Sequence, residues 1–88
     1  MNTARPNLLF DQDPVHLSAF HVLDEDAGRY LGLVAQHDGR WYAAPLRDLE
    51  GCVPLRDPDS GAVVYVDSRD QATELLARHQ PARHATIR

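Results

Sequence analysis

The chain of 88 residues contains no lysine, a single cysteine and no long apolar run. Because Cys52 has no partner, it cannot close an internal disulfide, which fits a reducing compartment. No segment approaches the roughly 20 apolar residues that span a bilayer, and the apolar stretch 8–10 is too short for a signal peptide. We therefore expect a cytoplasmic protein that does not bind a membrane.

The sequence also lacks the motifs of catalysis and of metal or phosphate binding. Its five histidines form no C-x-x-C or H-E-x-x-H pattern, and the acidic stretch 24–26 lacks the spacing of a calcium loop. Neither G-x-S-x-G nor a phosphate-binding glycine loop occurs. We therefore expect no enzyme activity, no catalytic residue, no bound metal and no cofactor.

Charge is distributed unevenly along the chain, whose net charge is −4. Residues 1–68 carry 5 arginines against 11 acidic side chains, whereas residues 69–88 carry 4 arginines against 2. An acidic body repels the phosphates of nucleic acid, so only the basic end could contact DNA. The use of arginine without lysine indicates a high-GC genome, such as that of a bacterium or a phage. The possible nucleic-acid contacts are Arg69, Arg78, Arg83 and Arg88.

The most secure strand pair runs from Tyr30 to Ala44 and turns at Asp38-Gly39, a dipeptide typical of two-residue hairpins. Both faces of this pair are apolar, although a sheet with one solvated face normally alternates apolar and polar residues. We therefore expect a second subunit, a partner or the N-terminal arm to cover one face. One face would carry Leu31, Leu33, Ala35, Tyr42 and Ala44, and the other Tyr30, Val34, Trp41 and Ala43.

Residues 15–23 fit two structures. Asp13 followed by Pro14 is typical of a helix start. The run 20–23 instead resembles a strand that leads into the polar turn 24–29. Because a strand follows at once, we favour a strand.

A second hairpin is predicted downstream. Residues 51–56 have weak strand character, and 57–61 have the composition of a turn. This turn would join the weak strand to a further strand at 62–66, which is apolar on both faces.

The helix near the end of the chain carries the clearest local signals. Ser68 is the predicted N-cap, and Gln71 completes an S-x-x-Q capping box. Asp70 lies in the first turn, where the helix dipole favours negative charge, and Pro81 ends the helix. The predicted buried stripe is Ala72, Leu75, Leu76 and His79.

A faint family likeness accompanies the nucleic-acid alternative. The segments G-R-W-Y-A at 39–43 and D-S-R-D-Q-A at 67–72 are similar in order to those of three-stranded DNA-binding domains, namely plant AP2-type domains and the arm-binding domains of phage integrases. This likeness implies DNA recognition by basic sheet residues. The strands here offer only Arg29, Arg40 and Arg56 among acids, so we assign the chain to neither family.

The patterns together predict an α+β fold. We expect an antiparallel β-meander of four to five strands with one C-terminal helix packed on one face. Residues 1–14 would form an N-terminal arm, 15–80 a single domain and 81–88 a C-terminal tail. The predicted core is Leu31, Leu33, Ala35, Tyr42, Val64, Val66, Ala72, Leu75 and Leu76.

For function, we expect a small non-enzymatic protein-interaction module that acts as a regulatory or adapter protein. It would self-associate, or bind a protein partner, through the sheet face that the helix leaves uncovered. Trp41→Ala would then cost roughly 2 kcal/mol of binding. The alternatives are a small DNA-binding regulator, and a small enzyme or enzyme subunit. The predicted protein interface is Leu8, Leu9, Phe10, Tyr30, Val34, Trp41, Ala43, Val63 and Tyr65.

Overall fold

The computed structural model describes residues 7–80 and shows an α+β fold. Five antiparallel strands follow one another across a single sheet in the order β1-β2-β3-β4-β5, and one C-terminal helix, α1, packs against β3 and β4. The predicted meander with one helix is therefore confirmed. The elements are β1 (Leu8–Gln12), β2 (Ala19–Asp24), β3 (Arg29–His37), β4 (Arg40–Arg47), β5 (Gly51–Cys52) and α1 (Arg69–Arg78), with a short 3-10 helix at Asp48–Glu50.

The hairpin between β3 and β4 has the predicted turn and register. Asp38 and Gly39 adopt φ values of 53° and 79°, which the two central positions of such a turn require. His37 pairs with Arg40, and the pairing continues to Gly32 opposite Pro45.

The ambiguous segment 15–23 forms a turn followed by strand β2, so the strand interpretation is confirmed. Asp13 does act as a cap, because its Oδ1 accepts hydrogen bonds from the amides of Val15 and His16 at 2.8 and 2.9 Å. The capped segment is a turn rather than a helix. Residues 8–12 of the predicted arm form the edge strand β1, paired along its length with β2.

A β-bulge interrupts the pairing of β2 with β3. Val22 pairs with Gly32 and Leu23 with Tyr30, so Leu31 is the extra residue on β3. Gly32 has a φ of 143°, in the region that favours glycine. The bulge turns the Leu31 side chain into the core beneath the helix, and it moves Tyr30 to the opposite face.

The predicted second hairpin is less regular than expected. Strand β5 has 2 residues, and the two arms meet through an isolated bridge between Arg56 and Val63. Segment 62–66 forms no continuous strand. Instead, Val66 exchanges main-chain hydrogen bonds of 2.8 and 2.9 Å with Trp41, which attaches this segment to the edge of β4.

Helix α1 begins as predicted. The Ser68 hydroxyl accepts a hydrogen bond from the amide of Gln71 at 3.1 Å. The Gln71 side chain reaches back to the amide of Asp67 at 3.0 Å, one residue before the N-cap. Ala72 and Leu76 are fully buried, whereas His79, expected in the same stripe, is exposed at the C-cap.

The main core lies between α1 and one face of the sheet, and it corrects the predicted roles of the two faces. Most residues of the hairpin predicted to share a face do so, because its register was right, but the bulge exchanges the sides of Tyr30 and Leu31. The face that α1 covers, however, is the one expected to stay open, and Val34 and Ala43 have no exposed surface. Their assignment to an accessible interface was wrong. The core consists of Val22, Leu31, Val34, Ala43, Ala72 and Leu76, with Leu8, Phe20, Trp41, Leu55, Val66 and Leu75 packed around it.

Alternation divides side chains between two faces, but it cannot say which face receives a helix when both are apolar. That choice follows from the path of the chain after Val66. Small and β-branched side chains on the covered face also let the helix approach closely. Leu33, Ala35 and Tyr42, predicted as core beneath the helix, therefore lie on the other face.

Candidate interaction face

The sheet face opposite α1, here called the open face, is largely apolar. Its residues lie in rows because directly paired residues in neighbouring strands point to the same side. Leu9 and Leu46, near opposite edges, keep 47% and 36% of their surface exposed. The rows are Leu9, Leu23 and Tyr30; then Asp11, His21, Leu33 and Ala44; then Ala19, Ala35 and Tyr42; and finally His37 and Arg40, while Leu46 pairs with Cys52 in β5.

The middle of the open face has small side chains. Ala19, Ala35 and Ala44 are buried, with exposures of 8%, 5% and 2%, although no helix of residues 7–80 packs over them. Larger neighbours flank them at the paired positions, including half-buried Leu33 and Tyr42. The larger side chains of the open face, rather than the alanines beneath them, therefore form its accessible surface.

A chain of four polar side chains crosses this face. Asp13 Oδ2 lies 2.8 Å from His21 Nε2, and His21 Nδ1 lies 2.6 Å from the Tyr30 hydroxyl. The hydroxyl in turn lies 3.4 Å from Cys52 Sγ. The carboxylate can only accept, so His21 Nε2 carries a proton, and in the neutral imidazole Nδ1 accepts from the Tyr30 hydroxyl. The chain thus joins the β1–β2 turn, β2, β3 and β5.

The Asp13 carboxylate is held in its charged form. The amide of His16, the His21 side chain and the amide of Val15 lower the pKa of Asp13 from 3.8 to about 2. Three donors converge on one carboxylate, which stabilises the negative charge.

The Tyr30 hydroxyl is held in its protonated form. Burial raises the pKa of Tyr30 above its ordinary value of 10.0, and the hydrogen bond to Cys52 adds to the effect. A charged phenolate there would lose solvation and lie close to the thiol and to the Asp13 carboxylate.

The pKa of Asp13 is lowered and the pKa of Tyr30 is raised, so both pKa values move further from neutral pH. Asp13 therefore stays ionised and Tyr30 protonated across the physiological range, which suits an acceptor and a donor of hydrogen bonds. The network orients the His21 ring and attaches the Asp13 turn to the sheet. Within residues 7–80, no group of three or more His, Cys, Asp or Glu side chains could hold a metal ion.

An aromatic and cationic cluster occupies the other end of the open face. The ring of Tyr65 meets Tyr42 edge-on at a centroid distance of 6.0 Å and stacks on His37 at 6.3 Å. The Arg40 guanidinium lies 5.8 Å from the Tyr65 centroid. Tyrosine and arginine are residue types that often dominate binding energy at interfaces.

The residues predicted as interface are distributed over both sides of the sheet. Tyr30, Tyr65 and Leu9 lie on the open face. Leu8 and Phe10 lie on the helix side of β1, as does Trp41, whose predicted place on the open face was wrong. Trp41 is half-buried against Phe20, with 6.2 Å between ring centroids, so its substitution should act on stability. Val63 is half-buried in its bridge to Arg56.

The possible nucleic-acid contacts do not form one described surface. The Arg69 guanidinium lies 4.5 Å from the ring centroid of Phe10 and 5.1 Å from that of Phe20, so its charge is directed at the protein's own aromatic rings. Arg78 is exposed in the last turn of α1. Arg83 and Arg88 lie outside the described residues.

Several residues of the open face were missed from the sequence. Leu33 was not predicted as interface because the opposite face was taken to be open, whereas Leu23 and Leu46 lie outside the hairpin 30–44 whose faces were compared. His21 carried the one usable signal, a single polar side chain within the apolar strand 19–23. Its partner Asp13 lies outside any strand and could be placed only by the three-dimensional turn.

No protein-family model, characterised protein or solved structure matches this chain. No helix within residues 7–80 is long and apolar enough to cross a membrane.

Proposed function

We propose that this protein is a small, non-enzymatic interaction module of the cytoplasm, a regulatory or adapter protein that self-associates through its open face. The observation that carries the proposal is the exposed apolar surface of the open face, on which Leu9 and Leu46, near opposite edges, keep 47% and 36% of their surface exposed. Removing such a surface from water favours association, by roughly 25 cal/mol per Å² of apolar area buried.

The arrangement of this face fits an interface. The cluster around Tyr65 provides anchor residues at one end. The polar chain from Asp13 to Cys52 leaves its own donors and acceptors paired within the protomer. A partner can therefore cover this face without leaving those polar groups buried and unpaired.

The two alternatives have less support. The opposed pKa shifts of Asp13 and Tyr30 suit a structural network better than acid–base catalysis. The stacking of Arg69 on Phe10 and Phe20 removes one of the four cations that DNA binding would use.

The test compares Leu46→Arg with Leu49→Arg in sedimentation equilibrium. Leu46 lies on the open face, whereas Leu49 is fully exposed in the 3-10 helix outside the strand rows. We expect a dimer for the wild type and for Leu49→Arg, and a monomer for Leu46→Arg. Leu9→Arg, at the opposite edge, should also give a monomer.

This pair of variants distinguishes a specific interface from nonspecific hydrophobic association, because Leu49 is the more exposed of the two leucines. Dissociation by Leu49→Arg but not by Leu46→Arg would contradict the proposal. A wild type that stays monomeric at millimolar concentration would refute self-association. Circular dichroism spectra of the variants would show that each has retained its fold.

A further inference from the structure

Strand β1 is an outer strand of the sheet, and no strand within residues 7–80 pairs with its free side. The direction of its main-chain groups follows from two hydrogen bonds. The Asn7 carbonyl accepts from the Glu25 amide, and the Asp13 amide donates to the Ala19 carbonyl, each at 2.9 Å. Odd-numbered residues of this segment therefore point their main-chain groups at β2, and even-numbered residues point theirs outward.

The outward groups are the amides and carbonyls of Leu8, Phe10 and Gln12. Natural proteins usually protect such an edge with lysine, proline, a bulge or a covering element. Strand β1 has none of these among its residues, and its one charged side chain is Asp11. Phe10 keeps 37% of its surface exposed, so the edge remains accessible to another strand.

A groove of about 490 Å³ runs beside this edge, between β1 and α1. Apolar side chains of Leu8, Phe10 and Ala77 form part of its surface, and its two ionisable lining residues, Asp70 and Glu74, are both acidic. The groove therefore offers apolar surface next to negative charge.

We propose that the β1 edge binds an extended basic segment of a partner protein, which adds to the sheet as a further strand. Main-chain hydrogen bonds to the outward groups supply affinity, as in other cases of strand addition. Alternate arginine or lysine side chains lie in the groove, with their stems on Leu8 and their charged ends towards Asp70 and Glu74, because the Arg69 guanidinium already lies over the Phe10 ring. This inference goes beyond the proposed function, because it uses the sheet edge and leaves the open face free.

Charge favours such a partner over a second copy of this chain. Antiparallel pairing of β1 with its own copy would place both helices on the same side of a continuous sheet. Asp70 and Glu74 of each copy would then face those of the other, and like charges disfavour such pairing. A basic strand meets complementary charge at the same position.

The experiment measures, by fluorescence anisotropy, the binding of a labelled eight-residue peptide to the full chain. The peptide alternates valine and arginine, and a valine–glutamate peptide is the control. Phe10→Pro removes one outward amide but no hydrogen bond to β2, while Phe10→Leu removes the ring and keeps the amide. We expect Phe10→Pro to weaken binding about tenfold or more relative to Phe10→Leu. If Phe10→Pro does not fold, Gln12→Pro tests a second outward amide, with Gln12→Ala as its match because the Gln12 side chain also donates to the Leu17 carbonyl.

A second matched pair tests the charge. Glu74→Gln removes an acid that lines the groove, and Glu50→Gln removes an exposed acid from the 3-10 helix. We expect Glu74→Gln to weaken binding about two- to fivefold, as for an exposed ion pair, and Glu50→Gln to leave it unchanged.

Three results would overturn the proposal. The first is no saturable binding up to millimolar peptide, or equal binding of the acidic control. The second is a wild-type dimer that Phe10→Pro dissociates, which would assign the edge to a second copy. The third is slow hydrogen exchange at the amides of Phe10 and Gln12 in the free monomer, which would show that the chain covers its own edge. Leu46→Arg alters only the open face. Its effect on self-association therefore tests the proposed function independently of peptide binding at the β1 edge.

Discussion

Replacement of Gly32 by alanine tests whether the bulge in β3 shapes both faces of the sheet. A Cβ atom at this position would lie 2.4 Å from the Ala44 carbonyl oxygen and 2.8 Å from Pro45 Cα. Both neighbours are main-chain atoms of β4, so no side-chain rotation relieves the collision. The φ of 143° adds strain of its own for any residue with a Cβ.

The expected cost follows from these two effects. A residue held in such a conformation costs about 1–3 kcal/mol, and an extra carbon in a packed site costs about 1–3 kcal/mol. We therefore expect Gly32→Ala to lower the free energy of unfolding by about 4 kcal/mol. For 88 residues the whole stability is roughly 4–13 kcal/mol, so this change alone could unfold the protein.

Gly28→Ala is the matched control. Gly28 also has a positive φ, 62°, but nothing lies within 4 Å of the added Cβ, so we expect a loss of only about 1 kcal/mol. Urea unfolding, followed by the fluorescence of Trp41, measures both variants. At an m-value of about 1.5 kcal/mol/M, a difference of about 3 kcal/mol separates their midpoints by about 2 M. Equal midpoints would refute the argument that close approach of β4 makes Gly32 necessary.

Three further predictions concern single side chains. Ser68→Ala removes the helix cap and should lower the free energy of unfolding by about 1 kcal/mol in thermal melts, whereas Ser68→Asp should retain the cap. Stability that depends on the Asp13 carboxylate should be complete above pH 3.8 and lost as the pH falls through about 2. Acid titrations of wild type and Asp13→Asn should therefore converge at low pH, and parallel curves would contradict this. Because the pKa of Tyr30 is raised, stability should fall as the pH rises above its ordinary value of 10.0. Tyr30→Phe should remove that part of the alkaline loss, as seen by circular dichroism.

Much of the fold could be predicted because its signals are local. The Asp38-Gly39 turn sets the β3–β4 register without help from the rest of the chain, since both residues accept a positive φ. The Ser68 cap and the apolar residues that follow it likewise specify α1. A turn or cap forms from residues within about four positions of each other, so a short stretch of sequence contains all of its determinants.

The candidate site was harder to predict because its contacts join distant parts of the chain. Tyr30 and Cys52 are 22 positions apart, and the hydrogen bond between them requires both the bulge at Leu31 and the return of the chain at β5. The unusual φ of Gly32 is not visible in the sequence, where a glycine in a strand indicates only some irregularity.

The sequence by itself determined the α+β class, the central hairpin, the helix and the fact that the sheet is apolar on both sides. The tertiary structure alone decided which side the helix covers. It placed Val34 and Ala43 beneath α1, and left Leu33 and Tyr42 on the open face. The physical reason is that side-chain alternation is symmetric between two apolar faces. Only the route of the chain from Val66 to Ser68, and the fit of Leu76 against the small residues beneath it, breaks that symmetry.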